Sequence, residues 1–227
     1  MPKFVEPVKS HNELNPKLWK GERLDPKVRD SLLKIAEVFY KFLDISAPVQ
    51  DIRMYGSQTN YNYTSHSDID LHLVFDFKSI ECDEPIEDLI DAKRKLWAEQ
   101  HTIDIRGIPV EPYAEDLDAE MHSACYSLVK DSWLAHPRKA KITYNRSKVQ
   151  RAVTVWQHLM DTAIRAGDPK LAKHLQKLLG RYRKLGLRAQ GEFGVPNLVF
   201  KSLRNAGTLD RLSQAINSMQ DRDLSLD

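Results

Sequence analysis

Cysteines, glycines and long apolar runs are all scarce in this chain of 227 residues. The two cysteines, Cys82 and Cys125, exclude a disulfide-stapled miniprotein and lie at no metal-ligand spacing. No apolar run approaches the roughly 18 residues that cross a membrane. The opening MPKFVEPVKSHN also lacks the apolar core of a secretory signal. We therefore expect a cytoplasmic protein with two free thiols and no membrane partner.

The charge of the chain is divided unequally between its two parts. Hydrophobic residues make up 41% and charged residues 29%, a composition typical of folded domains rather than of disordered tails. The net charge is only +2, yet residues 138–227 hold 18 Lys/Arg against 7 Asp/Glu, and residues 1–137 hold 16 against 25. This asymmetry predicts two domains, 1–137 and 138–227, with different roles. The basic part either contacts a polyanion such as RNA or presents solvated helix faces.

Hydrophobic periodicity predicts an α+β fold, in which a small mixed sheet with flanking helices is followed by a helical C-terminal region. In the first part we predict a helix from Asp25-Pro26 to before Pro48, strands at 49–55 and 69–75, a helix at 85–100, and strands at 102–105 and 108–114. In the second part we predict helices from Ser147 and from Asp168-Pro169, a loop at 186–196, and short helices at 196–205 and 208–220.

The most informative segment is Gly56-Ser57, followed after ten residues by Asp68 and Asp70. Residues two apart on a strand point to one side, so the two carboxylates share a face while the intervening apolar residues pack on the other. Like charges this close repel unless a cation lies between them, which indicates a Mg²⁺ site. A glycine at the sharp turn lets a phosphate approach the backbone, and the Ser57 hydroxyl adds a donor.

These residues resemble the signature of the DNA polymerase β-like nucleotidyltransferases: an apolar strand, Gly-Ser, about ten residues, then Asp-x-Asp between apolar residues. The matching segment reads MYGSQTNYNYTSHSDIDLHLVF and the resemblance covers about residues 49–77, with Ser67 directly before Asp68 as in the commonest form of the motif. The flanking NELNPKLW at residues 12–19 and Val110-Glu111 with Tyr113 are similar to short nucleotidyltransferases encoded by tailed bacteriophages. For a phage protein the expected compartment is the host cytoplasm.

The resemblance implies the site residues and their roles. Asp68 and Asp70 hold a Mg²⁺ ion on the triphosphate, and a third carboxylate on a neighbouring strand joins Asp70 in holding a second ion that activates an acceptor hydroxyl. Glu111 is favoured as the third carboxylate because it follows a hairpin turn, and Asp104, on the other arm of that hairpin, stays a second candidate. The implied nucleotide-binding residues are Gly56, Ser57 and Ser67.

The resemblance further implies transfer of a nucleoside monophosphate from ATP or another NTP to an acceptor hydroxyl, with release of pyrophosphate. RNA, including tRNA, fits the basic second part as acceptor, whereas a small molecule or a protein side chain fits the acidic first part. The alternatives are a non-catalytic nucleotide- or RNA-binding module and a structural protein of a virion. Tyr61 and Tyr63, in the loop after Gly-Ser, either stack on a base or cover the core edge, and His72 is a weaker candidate ligand.

Overall fold

The computed structural model describes residues 4–80, 85–121, 123–139 and 142–225. The chain divides into one unit of Ser10–Ala140 and a second of Met1–Lys9 with Lys141–Asp227. The described N-terminal residues therefore belong to the helical unit, where the Ser202 hydroxyl donates to the Val5 carbonyl oxygen at 2.6 Å. Sequence analysis instead places these residues in the first predicted domain, 1–137. The independence of two domains stays a prediction, and Cys82 lies outside the described residues.

Within the described residues, the first unit carries eight strands and two α-helices. They are β1 (Trp19–Lys20), β2 (Arg23–Leu24), α1 (Pro26–Leu43), β3 (Asp51–Tyr55), β4 (Ile69–Phe75), α2 (Ile86–Gln100), β5 (Asp104–Ile105), β6 (Ile108–Asp116), β7 (Cys125–Ser127) and β8 (Ser132–Ala135). Short 3₁₀ turns lie at Ser57–Thr59 and Phe77–Ser79.

Six of the strands form one mixed sheet in the order β5-β6-β4-β3-β7-β8. β4 and β6 run parallel and are joined through α2, whereas the other neighbouring strands run antiparallel. A parallel pair needs a long crossover, which α2 provides. The predicted α+β fold with a mixed sheet and flanking helices is confirmed. The strands β7 and β8 were not predicted.

The position of the polar face of the sheet follows from how β4 packs. Ile69, Leu71 and Leu73 alternate along β4 and are fully buried in the same core cluster as the apolar face of α1. Helix α1 begins where predicted, because the Asp25 side chain accepts a hydrogen bond from the Lys27 backbone N–H and Pro26 occupies the first turn. The alternate residues of β4, including Asp70, therefore lie on the opposite face.

The second unit is helical. Its helices are α3 (Arg146–Ala166), α4 (Pro169–Gln190), α5 (Val195–Asn205) and α6 (Thr208–Leu224), and a separate apolar cluster fills the space between them. The loop predicted at 186–196 is wrong in its first five residues, which continue α4. Gly186 is buried there, and a Cβ at this position would lie 2.4 Å from the Pro196 side chain. This glycine therefore permits close helix packing instead of ending the helix.

Two further expectations concern the thiols and the membrane. Cys125 is buried in β7 and its thiol is free. Among the described residues, every helix is too short or too polar to span a bilayer.

Candidate metal and nucleotide site

Three carboxylates converge on the polar face of the sheet. Asp68 directly precedes β4, Asp70 is on β4, and Glu111 on β6 is the parallel-strand neighbour of Asp70. One oxygen from each of the three lies within 4.8 Å of the others. Asp68 and Asp70 are half-buried and Glu111 is exposed, so the group opens to solvent on the Glu111 side.

The second candidate for the third carboxylate does not join this group. Asp104 is exposed on β5 and pairs in register with Pro109. Its Oδ1 accepts a hydrogen bond from the Gly107 backbone N–H at 2.8 Å, which closes the β5–β6 turn. Asp104 thus stabilises the hairpin locally.

The chemistry of the cluster matches a hard divalent cation. Three carboxylates at this separation repel one another strongly in a partly desolvated site. Carboxylate oxygens are the ligands that Mg²⁺ prefers, and it usually takes only one or two of them together with water and substrate phosphates. The donor set therefore fits Mg²⁺, with Asp68, Asp70 and Glu111 as the residues that could hold it.

Gly56 lies against the cluster and leaves room for the Asp70 carboxylate. Its backbone has φ 80° and ψ −159°, a conformation that residues with a side chain rarely adopt. A Cβ built on Gly56 would lie 1.9 Å from Asp70 Oδ2. Both the backbone conformation and the contact with Asp70 therefore require glycine. Sequence analysis predicts this glycine from phosphate approach, and the contact with Asp70 is a separate requirement.

The two serines of the predicted phosphate cradle contact each other. The Ser57 hydroxyl donates to Ser67 Oγ at 2.7 Å, and Ser67 Oγ also accepts from the Thr64 backbone N–H at 2.9 Å. These bonds join the beginning of the loop that follows Gly56 to its end. Ser67 is buried directly before Asp68. The serine pair thus fixes the chain at the point where it enters the carboxylate cluster.

The same loop is also held by hydrogen bonds from residues for which the sequence predicted no role in the site. Gln58 is buried; its amide donates to the Ser67 carbonyl oxygen at 3.0 Å and accepts from Asn15 Nδ2 at 2.9 Å. The Trp19 indole N–H donates to the Gln58 carbonyl oxygen at 2.8 Å. Asn15 and Trp19 belong to the NELNPKLW segment, so the structural contribution of that segment is to hold the Gly-Ser loop.

Tyr113 extends the site along β6. Its hydroxyl donates to Glu111 Oε2 at 2.5 Å. Burial, the bond to Glu111 and the negative charge of Asp70 raise the pKa of Tyr113, so the phenol stays a protonated donor at neutral pH. The sequence signal was its spacing, because a residue two positions after Glu111 on a strand shares its face.

His72 belongs to a second polar network farther along the same face. Its Nδ1 lies 3.0 Å from Glu115 Oε2, and the Tyr55 hydroxyl donates to Glu115 Oε1 at 3.1 Å. Arg53 lies 3.7 Å from the same carboxylate. Burial raises the pKa of Tyr55, which keeps its hydroxyl protonated. The structure thus directs His72 toward Glu115 rather than into the Asp68, Asp70 and Glu111 group.

The loop tyrosines make contacts within the protein. The Tyr63 ring stacks on His11, with ring centroids 3.8 Å apart. The Tyr61 hydroxyl donates to Glu22 at 3.3 Å, and the Lys139 ammonium lies 5.1 Å from the Tyr61 ring centroid. These contacts fit the interpretation in which the two tyrosines cover the edge of the core rather than stack on a base.

Comparison with known proteins adds little to this geometry. Neither protein-family models nor curated proteins give a match to the chain. Among solved structures, the chain has a weak likeness to a STING-associated CdnE c-di-GMP synthase from Capnocytophaga granulosa. The TM-score is 0.23 and the identity 12%, over 88% of this chain and 83% of that one.

Proposed function

We propose that this protein is a Mg²⁺-dependent nucleotidyltransferase that moves a nucleoside monophosphate from an NTP, such as ATP, to an acceptor hydroxyl. The observation that carries the proposal is the convergence of Asp68, Asp70 and Glu111 within 4.8 Å beside the Gly56 turn. A chance acidic patch would not need a glycine of unusual conformation to admit one of its carboxylates. The resemblance of the Gly-Ser and Asp-x-Asp segment to polymerase β-like enzymes supports the same reaction.

Each residue has a role in this proposal. Asp68 and Asp70 would hold one Mg²⁺, Asp70 and Glu111 would hold a second, and the Gly56-Ser57 turn would bind phosphate oxygens. When bound, Mg²⁺ neutralises charge on the triphosphate and makes the acceptor hydroxyl more nucleophilic. As the acceptor oxygen bonds to the α-phosphorus, the α-phosphorus bond to the bridging oxygen breaks and pyrophosphate leaves. The Glu111 carboxylate takes the proton of the acceptor hydroxyl.

The acceptor proposed is RNA, and helix α4 supports it. This helix carries seven Lys/Arg and no Asp/Glu. Four of the basic residues are exposed on the side of the helix away from its buried positions: they are Lys173, Lys177, Arg181 and Lys184. Such a row can neutralise successive phosphates of a nucleic-acid backbone.

A labelling experiment tests both the reaction and the acceptor. The protein is incubated with Mg²⁺ and each α-³²P-labelled NTP in the presence of total RNA, protein extract or small metabolites. We expect label in the RNA fraction. Label in protein or metabolites would keep the reaction and replace the acceptor, whereas no label in any fraction would contradict the proposed function.

A further inference from the structure

Tyr113 contacts the acidic cluster through Glu111 and has no role in the proposed reaction so far. Its bond to Glu111 Oε2, at 2.5 Å, has the length of a charge-assisted O–H···O⁻ hydrogen bond. Bonds of this kind are shorter and stronger than those between neutral groups. Tyr113 thus holds one oxygen of the carboxylate that lies on the open side of the cluster.

The tyrosine ring is itself held by its neighbours. The Arg94 guanidinium of α2 lies 5.1 Å from the ring centroid, and the His72 ring centroid lies 4.9 Å away. Arg94 is fixed in turn by two N–H bonds to Asp91 Oδ1, at 2.9 and 3.3 Å. These contacts restrict the position of the Tyr113 ring and therefore of the hydroxyl that bonds to Glu111.

Glu111 needs the bond from Tyr113 because its side chain is exposed. An exposed glutamate has three freely rotating side-chain bonds and samples many rotamers, and a cation that binds it must freeze that motion. Asp68 and Asp70 are shorter and half-buried, so they are restrained already. Glu111 is longer and exposed, so the bond from Tyr113 restricts the orientation of its carboxylate.

We propose that Tyr113 is a positioning residue, which holds the Glu111 carboxylate in the orientation required to bind the acceptor-side Mg²⁺ and to receive the acceptor proton. This inference rests on the proposed function and adds a residue to its site. Partners that orient a metal-binding side chain in this way typically contribute 10- to 100-fold to metal affinity or activity.

The test compares Tyr113→Phe with Tyr55→Phe. The first removes the hydroxyl on Glu111 and keeps the ring that contacts Arg94 and His72. The second removes a hydroxyl from the same face of the sheet, where it donates to Glu115 instead. Affinity for Mn²⁺ alone is measured from the electron paramagnetic resonance signal of the free ion, without nucleotide, and kcat and KM for the NTP are measured separately.

We expect Tyr113→Phe to weaken Mn²⁺ binding about tenfold and to lower kcat by a similar factor with KM for the NTP unchanged. Tyr55→Phe should leave all three values within about twofold. Unchanged Mn²⁺ affinity in Tyr113→Phe, or equal losses in both variants, would overturn the positioning role. If the wild type binds Mn²⁺ but transfers no nucleotide, the proposed function fails, and the Mn²⁺ measurement still decides the role of Tyr113.

Discussion

Replacing Gly56 with alanine should change both the local backbone energy and the position of the Asp70 carboxylate. At φ 80° and ψ −159°, a residue with a side chain is strained by about 1–3 kcal/mol. The new methyl group would also lie 1.9 Å from Asp70 Oδ2. That oxygen is at the end of a side chain that can rotate, so the overlap is relieved by turning the Asp70 carboxylate away from its position. We therefore expect a moderate loss of folding stability and a large loss of metal affinity.

Gly21→Ala provides the matched control. Gly21 also has a positive φ, 62°, but a Cβ there would meet no atom within 4 Å. The control should lose folding stability only through the conformational strain of alanine at this positive φ, about 1–2 kcal/mol. Urea denaturation gives the stability of each variant, and Mn²⁺ titration gives its metal affinity. We expect Gly56→Ala alone to lose Mn²⁺ affinity, by about tenfold or more. Wild-type affinity in Gly56→Ala would refute the account of this glycine.

Two further predictions concern the third carboxylate and the basic helix. Glu111→Gln should lower turnover by about 100-fold or more, because it removes the proposed proton acceptor. Asp104→Asn keeps the oxygen that accepts from Gly107 and should change turnover little; the reverse order in steady-state rates would move the third carboxylate to Asp104. On α4, a quadruple alanine variant should weaken RNA binding. Its log binding constant should also fall less steeply with log salt, by about 0.7 in slope for each lost phosphate contact. The variant replaces Lys173, Lys177, Arg181 and Lys184. An unchanged slope would identify the row as solvated surface.

Local sequence signals were sufficient for the elements that carry the site. The Asp25-Pro26 cap predicted the start of α1, and the alternation along β4 predicted which residues face the core. They failed where tertiary contacts decide the structure. Gly186 resembles a helix end in sequence, but its contact with Pro196 keeps it inside α4. The strands β7 and β8 have three and four residues, too few to show a period.

The residue types of the candidate site were predictable from the sequence, but the strand register and the hydrogen bonds that hold the site were not. The spacing of Gly56, Asp68 and Asp70 is local, so the sequence alone indicated a carboxylate pair beside a tight turn. Sequence analysis favours Glu111 over Asp104 as the third carboxylate, but the parallel register of β6 with β4, which puts Glu111 next to Asp70, is not encoded in a short sequence pattern. The bracing of the loop by Asn15 depends on contacts between distant segments and required the structure.

The most direct test of the central claim is pyrophosphate release from NTP, measured with RNA present and with or without Mg²⁺. The wild type should release pyrophosphate only with Mg²⁺, and Asp70→Asn should abolish the release while keeping a cooperative unfolding transition. Asp104→Asn, which removes a carboxylate outside the cluster, should release pyrophosphate at about the wild-type rate. Metal-independent release, or an Asp70→Asn variant with near-wild-type turnover, would contradict the assignment of this site as a metal-dependent nucleotidyltransferase centre.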